Sequence, residues 1–355
     1  MKVLICIASM GSGGAERQVT YLAKGFVQLG HEVHVALIAY GENSGRLLES
    51  GAIIHLVNIY PNSLRFVIPL IRLFRMIGPD VIYLWQRPFD VLGGIAALLS
   101  GIPTINAERT NPSKTQPGLK VWLRNIVVPL SKAIITNSDA GVSYWHQRAK
   151  FLPVIKIPNI IPFEEMQRVQ PSPESKNCII TICRLDVNKN VMTLLRAIKR
   201  LNSMDIQFTV IVVGEGAESQ NLKRFVRDER ISNQVTFSGY RSDAWSLLKG
   251  SKCFVSLSFY EGEPNVLLEA AALGCRLIIS DIPEHRSLAG LCSMTFVNPD
   301  SDLEVADALL SLSLEEPSTA TPATAFNHMT PGWTSRSTSS VSLQHLEVFS
   351  QALSN

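Results

Sequence analysis

The sequence lacks the features that define several protein classes. Across its 355 residues, no apolar run reaches the ~18 residues that indicate a membrane-spanning helix. The six cysteines form no C-x-x-C pair and several lie inside apolar runs, which indicates reduced, buried thiols of a cytoplasmic protein. The histidines show no metal-ligand spacing, and no nucleic-acid-binding motif is present. We therefore expect neither a bound metal nor a nucleic-acid partner.

The residues that are present predict an α/β protein. Hydrophobic residues make up 46% of the chain and charged residues 18%, as in a globular protein with a sizeable core. Short apolar runs such as Val3–Ala8 alternate with amphipathic stretches such as Ala15–Leu29, which predicts parallel sheets covered by helices on both faces. A proline-rich segment interrupts this rhythm. The predicted organisation is a first doubly wound domain over residues 1–160, a linker over 161–177, a second such domain over 178–312, and an irregular tail over 313–355 with a possible last helix at 343–353.

A glycine-rich turn follows the first predicted strand. Gly13 and Gly14 lie in the run Gly11–Glu16, directly before a predicted helix. Glycines let the backbone approach a ligand closely, and the free N–H groups of a helix start favour an anion. The dinucleotide fingerprint G-x-G-x-x-G would need glycine where Glu16 stands, which disfavours an NAD-dependent enzyme. A plain tight turn explains the motif about as well as a ligand loop does.

Two cations follow the first strand of the second domain. Arg184 and Lys189 lie in the run Arg184–Asn190, at the predicted carboxyl end of that strand. Ligands of doubly wound sheets bind at these ends. A guanidinium fork and an ammonium point charge together suit a diphosphate, although two solvated surface cations remain the alternative interpretation.

Two glutamates frame a later predicted helix. Glu261 precedes the helix, Pro264 fits its first turn, and Glu269 follows about one and a half turns along. Because Glu269 lies in an otherwise apolar stretch, its carboxylate needs a partner. An ordinary surface helix is the alternative, but the apolar setting of Glu269 favours a binding site that both carboxylates face.

These motifs, in this order, resemble those of the family 4 retaining glycosyltransferases. The stretch E-G-E-P-N-V-L-L-E over Glu261–Glu269 is similar to the family's E-x7-E motif, and R-L-D-V-N-K-N over Arg184–Asn190 is similar to its phosphate-binding motif. The Gly13-Gly14-Ala15-Glu16 turn resembles its N-terminal glycine loop. Gly214-Glu215-Gly216 also follows the family order, and the resemblance covers roughly residues 1–312.

The resemblance implies a GT-B fold, in which two Rossmann-like domains face each other across a cleft. It implies that the donor, a nucleoside-diphosphate sugar, binds mainly to the second domain and the acceptor mainly to the first. Such enzymes need no metal and no cofactor, because protein cations and helix amides neutralise the leaving diphosphate. The implied catalytic residues are Glu261, Arg184 and Lys189, and the implied donor-binding residues are Glu269, Gly262, Asn265, Val266, Gly214, Gly13 and Gly14.

Three further residues are weaker candidates. Many family members carry a histidine where this chain has Glu108 and Arg109, and a polysaccharide-transferase subgroup has a similar E-R-N-x-P stretch. His285 follows a strand of the second domain on the expected cleft side and could contact the donor. A structural or solvent-facing role is the commoner outcome for such a histidine.

A basic, apolar stretch suggests contact with a membrane. Residues 64–77 combine aliphatic side chains with Arg65, Arg72 and Arg75, and residues 1–165 hold 16 Lys and Arg against 10 Asp and Glu. Such a helix could rest on an anionic membrane that holds a lipid-linked acceptor, although Pro69 interrupts it and a buried helix with snorkelling arginines fits equally well.

The sequence thus predicts a cytoplasmic, metal-independent retaining glycosyltransferase of bacterial surface polysaccharide synthesis, such as capsule or lipopolysaccharide. Its expected partners are a nucleotide-sugar donor and a glycan or lipid-linked acceptor, with possible peripheral contact to the inner membrane. The alternatives are a nucleotide-sugar epimerase of GT-B fold and a non-catalytic sugar-nucleotide-binding protein.

Overall fold

The computed structural model describes residues 1–57, 64–86, 88–116, 118–314 and 331–354. The chain divides into two compact units. The first unit comprises Met1–Ile160 together with Ser335–Asn355, and the second comprises Ile161–Thr334. The chain therefore leaves the first unit once and returns to it at its end.

The first unit is built on a parallel sheet of seven strands. Their order is β3-β2-β1-β4-β5-β6-β7, so the chain reverses its direction across the sheet between β1 and β4. Two neighbouring central strands, Val81–Trp85 and Thr104–Glu108, are buried along their whole length, and the first has the continuous apolar sequence that predicts such burial. The strands are β1 Lys2–Ser9, β2 Glu32–Ala39, β3 Ile53–Leu56, β4 Val81–Trp85, β5 Thr104–Glu108, β6 Ala133–Thr136 and β7 Val154–Lys156.

Helices cover both faces of this sheet. On one face, Leu4 and Leu84 pack against helices α3 and α4, and on the other, Tyr83 packs against Phe349 of the last helix. A π-helical turn at Phe89–Gly93 leads into α4. The helices of the unit are α1 Gly14–Gln28, α2 Ser44–Glu49, α3 Val67–Ile77, α4 Gly94–Ser100, α5 Leu119–Val127, α6 Asp139–Arg148 and, after the second unit, α15 Thr338–Ser354.

The second unit repeats the design with a parallel sheet of six strands. The order β10-β9-β8-β11-β12-β13 reverses between β8 and β11. The strands are β8 Ile179–Ile182, β9 Val210–Val213, β10 Val235–Gly239, β11 Cys253–Ser256, β12 Leu277–Ser280 and β13 Thr295–Val297. The helices are α7 Phe163–Arg168, α8 Val191–Asn202, α9 Ser219–Asp228, α10 Ala244–Gly250, α11 Asn265–Ala272, α12 Pro283–Arg286, α13 Asp302–Leu314 and α14 Pro331–Thr334.

The segments predicted to be irregular carry structure of their own. Residues 161–177, expected to be a linker, contain α7 and pack as part of the second unit, where α7 buries Phe163 and Met166. The tail expected at 313–355 ends in the 17-residue helix α15, which belongs to the first unit. Residues 315–330 of that predicted tail lie outside the described residues.

All six cysteines are free thiols. Cys6, Cys178 and Cys253 are buried, and the remaining three are half-buried. Burial raises the pKa of Cys253 to about 12, so its thiol stays protonated and unreactive at neutral pH.

Candidate functional site

The order reversal of the second sheet brings together two loops that carry predicted site residues. Strands β8 and β11 are neighbours, but the chain continues from them to opposite sides of the sheet. Loops that diverge in this way leave a crevice at the carboxyl ends of the two strands, which is where ligands of such sheets bind. Residues 183–190 follow β8 and residues 257–264 follow β11.

Asn188 fastens these two loops to each other. Its side-chain Nδ2 donates to the Tyr260 carbonyl at 3.0 Å, and its Oδ1 accepts from the Tyr260 amide at 3.2 Å. Its backbone carbonyl accepts from the Phe259 amide at 3.0 Å. Three hydrogen bonds from one residue fix the separation of the loops, so Asn188 is a positioning residue that the sequence analysis did not single out.

The fastened loops bring Lys189 against Glu261. Lys189 Nζ lies 2.5 Å from Glu261 Oε1, and the two side chains are 22% and 12% exposed. An ammonium has three donors, so this contact leaves two more N–H groups of Lys189 for a ligand. The structure thus joins two of the three predicted catalytic residues at the order reversal of the sheet.

Arg184, the third predicted catalytic residue, lies at the start of the same loop as Lys189 and is exposed. Its Nε donates to Asp186 Oδ2 at 2.7 Å, and its side chain is 76% exposed. The other oxygen of Asp186 accepts from the Lys189 backbone amide at 3.1 Å and so caps the turn at Val187–Lys189. Asp186 therefore ties the conformation of the loop to the position of the Arg184 guanidinium.

Glu269 is buried within α11 of the second unit. It is only 2% exposed, and its Oε2 accepts a hydrogen bond from Trp245 Nε1 at 2.9 Å. The carboxylate therefore has the partner that its apolar surroundings require, and this partner is a side chain of α10. Its predicted contact with a ribose stays a prediction. The predicted donor-binding residues Gly262, Asn265 and Val266 lie beside Glu261, at the start of α11.

His285 is buried close to the Lys189–Glu261 pair. Its Nδ1 donates to the Ser280 carbonyl at 2.9 Å, because a carbonyl oxygen can only accept. Burial lowers the pKa of His285, with smaller and opposing effects from Glu261 and Lys189. The imidazole is therefore neutral at pH 7 and holds Nε2 as an acceptor. In the described part of the chain, this buried Nε2 has no hydrogen-bond partner.

Besides the crevice between β8 and β11, the second unit has a cavity where β8, β9 and β10 end. It measures about 460 Å³. Gly214 has φ +125°, and a Cβ at this position would lie 1.9 Å from the Cys183 carbonyl oxygen, so only glycine fits. The predicted residue Gly214 thus has a packing role. The sequence predicted no role for most of the other lining residues, which are Leu185, Glu215, Gly216, Ser219, Lys223, Phe237 and Gly239.

In the first unit, Gly13 and Gly14 lie at the corresponding order reversal. They start α1 directly after β1, and β1 is the neighbour of β4. A Cβ on Gly13 would meet only the flexible side chain of Glu16. The fold itself therefore places little demand on a glycine at position 13.

Glu108 is the centre of a buried ion cluster in this unit. Its Oε2 accepts from Arg124 Nη2 at 2.8 Å and from Trp145 Nε1 at 3.1 Å, while its Oε1 accepts from the Thr110 hydroxyl at 2.9 Å. Arg124 Nε also donates to Asp90 Oδ2 at 2.6 Å. Burial opposes the charge of Arg124, but the two carboxylates outweigh it and hold the pKa of Arg124 above its ordinary value.

This cluster lines a cavity of about 250 Å³. The predicted residue Arg109 also lines it, and its Nη2 donates to the Tyr83 hydroxyl at 2.9 Å and contacts His345 Nε2 of α15 at 3.2 Å. Its guanidinium lies 4.3 Å from the centre of the Trp85 ring. Arg109 therefore connects the cavity to the last helix. The remaining lining residues include Ala15, Gln86, Pro112, Thr115, Val121 and Tyr144.

The chain matches two family models that follow one another along its length. Residues 12–165 match Glycosyltransferase Family 4, and residues 162–322 match Glycosyl transferases group 1. Together the two matches cover residues 12–322, which include every strand of both sheets except β1.

Among the relatives, a Campylobacter jejuni protein is 25% identical over 279 residues, which is 76% of this chain and 76% of that protein. It is named GalNAc-alpha-(1->4)-GalNAc-alpha-(1->3)-diNAcBac-PP-undecaprenol alpha-1,4-N-acetyl-D-galactosaminyltransferase. An Escherichia coli UDP-Gal:alpha-D-GlcNAc-diphosphoundecaprenol alpha-1,3-galactosyltransferase is 24% identical over 63% of this chain and 64% of its own length.

Solved structures share the fold over the whole chain. HepE of Anabaena in complex with UDP-glucose superposes with a TM-score of 0.84 at 19% identity, covering 99% of this chain and 100% of that one. The lipopolysaccharide outer core galactosyltransferase WaaB superposes with a TM-score of 0.69 at 15% identity, covering 99% of each chain. The two Rossmann-like units therefore form a GT-B fold, and the chain belongs to glycosyltransferase family 4.

Proposed function

We propose that this glycosyltransferase is a metal-independent, retaining enzyme that moves a sugar from a nucleoside-diphosphate sugar to a lipid-linked glycan of surface polysaccharide synthesis. The observation that carries the proposal is the contact of Lys189 with Glu261 at the order reversal of the second sheet. It sets an ammonium with two further donors at the place where ligands of such sheets bind.

The reaction that we propose uses these side chains to stabilise the leaving group. The bond between the anomeric carbon and the donor phosphate breaks, and the acceptor oxygen bonds to the same face of that carbon. The departing phosphate oxygen takes the acceptor proton. Lys189 and Arg184 bind the diphosphate as its negative charge develops, assisted by the amides at the start of α11. Glu261 accepts a hydrogen bond from a hydroxyl of the donor sugar.

The cavity at the ends of β8, β9 and β10 is our candidate for the nucleoside. It lies at the same edge of the sheet as Lys189, and Phe237 gives it an aromatic wall. Gly214 packs directly against the Cys183 backbone after β8, so position 214 places no side chain in the cavity. The bound UDP-glucose named for HepE supports a uridine nucleotide as the first donor to test.

The cavity of the first unit is our candidate for the acceptor sugar. Two carboxylates, of Asp90 and Glu108, face two guanidinium groups, of Arg109 and Arg124, so the formal charges cancel. A cavity with balanced charge and many hydrogen-bonding groups suits a neutral, hydroxyl-rich ring better than a phosphate. The relatives named for undecaprenol-linked substrates support an acceptor carried on a polyprenyl diphosphate at the inner membrane.

The proposal is tested by a thermal-shift screen with UDP-, GDP-, ADP- and TDP-sugars, followed by assays of the stabilising donor. With an undecaprenyl-diphosphate glycan as acceptor and a chelator present, we expect a glycosylated lipid with the anomeric configuration of the donor. An epimerase would convert the free nucleotide sugar without an acceptor, and a non-catalytic protein would bind without turnover. Each of these two results would contradict the proposal. Inversion at the anomeric carbon or loss of activity in the chelator would also contradict it.

A further inference from the structure

Helix α5 of the first unit exposes an apolar surface. None of its nine residues is fully buried, and Leu119, Trp122 and Ile126 are 72%, 59% and 46% exposed. Spacings of three and four place these side chains on one side of the helix. A helix of a single soluble domain normally turns such a side towards the core, so this arrangement needs an explanation.

The same surface continues over two neighbouring helices. Gly94 at the start of α4 lies against Val127 at the end of α5, and α4 contacts α3 in turn. On α4, Leu98 is 60% exposed, and on α3, Met76 is 70% exposed. Helix α3 buries its other side in the core. Of the 22 large hydrophobic residues that are exposed among the described residues, nine lie in α3, α4 and the segment Leu119–Leu130.

The charges on these helices have one sign. Residues 64–77, 94–100 and 119–130 contain no aspartate or glutamate. They contain five basic residues, of which Arg65, Arg72, Arg75 and Lys120 are exposed. An apolar surface on helices whose charged residues are all cations is complementary to a surface that is apolar beneath and negative on top, which describes an anionic phospholipid bilayer.

We propose that α3, α4 and α5 form a membrane-docking face that binds anionic phospholipids. At 1.5 Å per residue, α5 is about 13 Å long against an apolar bilayer core of ~30 Å, so it lies along the membrane surface rather than across it. Trp122, an aromatic amphipathic side chain, sits at the level of the headgroups. Docking does not depend on which sugar is transferred, and it would hold the first unit against the bilayer that carries the proposed acceptor.

The chain contains its own probe for this face. Trp122 is the one exposed tryptophan of five, because Trp85, Trp145, Trp245 and Trp333 are each at most 8% exposed. Fluorescence of the full chain is measured with vesicles of phosphatidylcholine alone and with added phosphatidylglycerol. We expect a blue shift and quenching by brominated lipids with the anionic vesicles only, and we expect both to be lost in about 0.5 M salt, where the Debye length is a few ångströms.

One variant tests the charged contribution to binding, and another tests the assignment of the fluorescence signal to Trp122. Flotation of Arg72→Gln/Arg75→Gln should show anionic-vesicle binding weaker by about 20-fold, since each cation near such a surface contributes about fivefold. Trp122→Phe should bind but lose the fluorescence signal. The matched control Met204→Ser/Leu303→Ser changes two exposed apolar residues of the second unit, 57% and 51% exposed, and should bind normally. Circular dichroism melting confirms that each variant is folded.

Three outcomes would overturn the inference. These are no binding to anionic vesicles at low salt, binding that leaves Trp122 fluorescence unchanged, and equal binding to neutral vesicles. Transfer to a detergent-solubilised acceptor is measured in parallel with the same variants. Normal transfer without vesicle binding would contradict the docking face but not the proposed activity. Vesicle binding without any transfer would contradict the proposed activity but not the docking face.

Discussion

Replacing Lys189 with alanine should affect catalysis and stability by separate routes. The substitution removes the ammonium that we propose binds the leaving diphosphate, and loss of one such preorganised contact costs about 3 kcal/mol of transition-state stabilisation, roughly a hundredfold in rate. It also leaves Glu261, whose side chain is 12% exposed, without its partner at 2.5 Å. An orphaned, largely buried carboxylate should lower the free energy of unfolding by about 1–3 kcal/mol.

The two effects are measured by release of nucleoside diphosphate during transfer and by urea denaturation. A double-mutant cycle with Glu261→Ala should recover much of the lost stability in the double variant, because no unpaired carboxylate remains, while activity stays low. The control Lys199→Ala breaks an ion pair with Glu229 of the same unit, in which the lysine side chain is 50% exposed. It should change stability by less than about 1 kcal/mol and leave transfer unchanged. A folded Lys189→Ala variant with normal kcat/KM would refute the assignment of the diphosphate to this loop.

Three further predictions concern the scaffold around the two cavities. Gly214→Ala should lower the free energy of unfolding by more than about 2 kcal/mol in a urea melt, because its Cβ would lie 1.9 Å from the Cys183 carbonyl oxygen; an unchanged midpoint would contradict that packing. Glu108→Gln should cost about 2–4 kcal/mol in the same assay because Arg124 loses a buried carboxylate, and a cost under about 0.5 kcal/mol would show the ion pair to be unimportant. Burial, aided by a neighbouring cation, lowers the pKa of His345 from 6.5 to about 3. The unfolded chain then binds a proton below pH 6.5 that the folded chain does not, so stability is lost as pH falls. Between pH 7.5 and 5.5 this loss should be about 1.4 kcal/mol, and it should be absent in His345→Leu; an equal pH dependence in both proteins would contradict it.

The central strand β4 was predictable because a strand that is buried on both faces has a continuous apolar sequence. Val81–Trp85 is buried at every position and was predicted to within one residue. Helix α3 shows where the same reasoning failed in detail. Pro69 was expected to interrupt a helix over 64–77, but the α-helix begins at Val67, so the proline falls in its first turn, where its missing N–H costs no hydrogen bond.

The last helix was harder to predict, for a physical reason. It was expected over 343–353, but it begins at Thr338. The prediction started too late because the first turn of the helix is rich in serine and threonine and shows no apolar periodicity. This end is held by close packing instead. A Cβ on Gly25 of α1 would lie 2.1 Å from the Ser342 hydroxyl, so two small residues let the helices approach. A pattern of hydrophobicity cannot report a contact that depends on the absence of side chains.

The residues of the candidate site that lie in local sequence motifs were predictable, but the contacts between distant motifs were not. Lys189 and Glu261 were named from separate motifs, and their contact across 72 residues appears only when the order reversal of the sheet brings the two loops together. Glu269 was expected to need a partner, but no local pattern identifies Trp245 as that partner. The ion cluster of Glu108, Arg124 and Asp90 likewise joins residues from three separate segments.

The charges of the second-unit site decide how a diphosphate could bind there. Lys189 is paired with Glu261 and Arg184 with Asp186, so the four side chains carry no net charge before a ligand arrives. The negative charge of a bound diphosphate would therefore stay uncompensated unless one of these cations leaves its carboxylate. Arg184 can contribute by leaving Asp186, because an exposed ion pair of this kind stabilises by at most about 1 kcal/mol. Lys189 cannot leave Glu261 as cheaply, since that pair is largely buried. The guanidinium is therefore the more mobile cation and the ammonium the more fixed one, so in the proposed reaction we expect Arg184 to contact the incoming donor first and both cations to bind the leaving diphosphate.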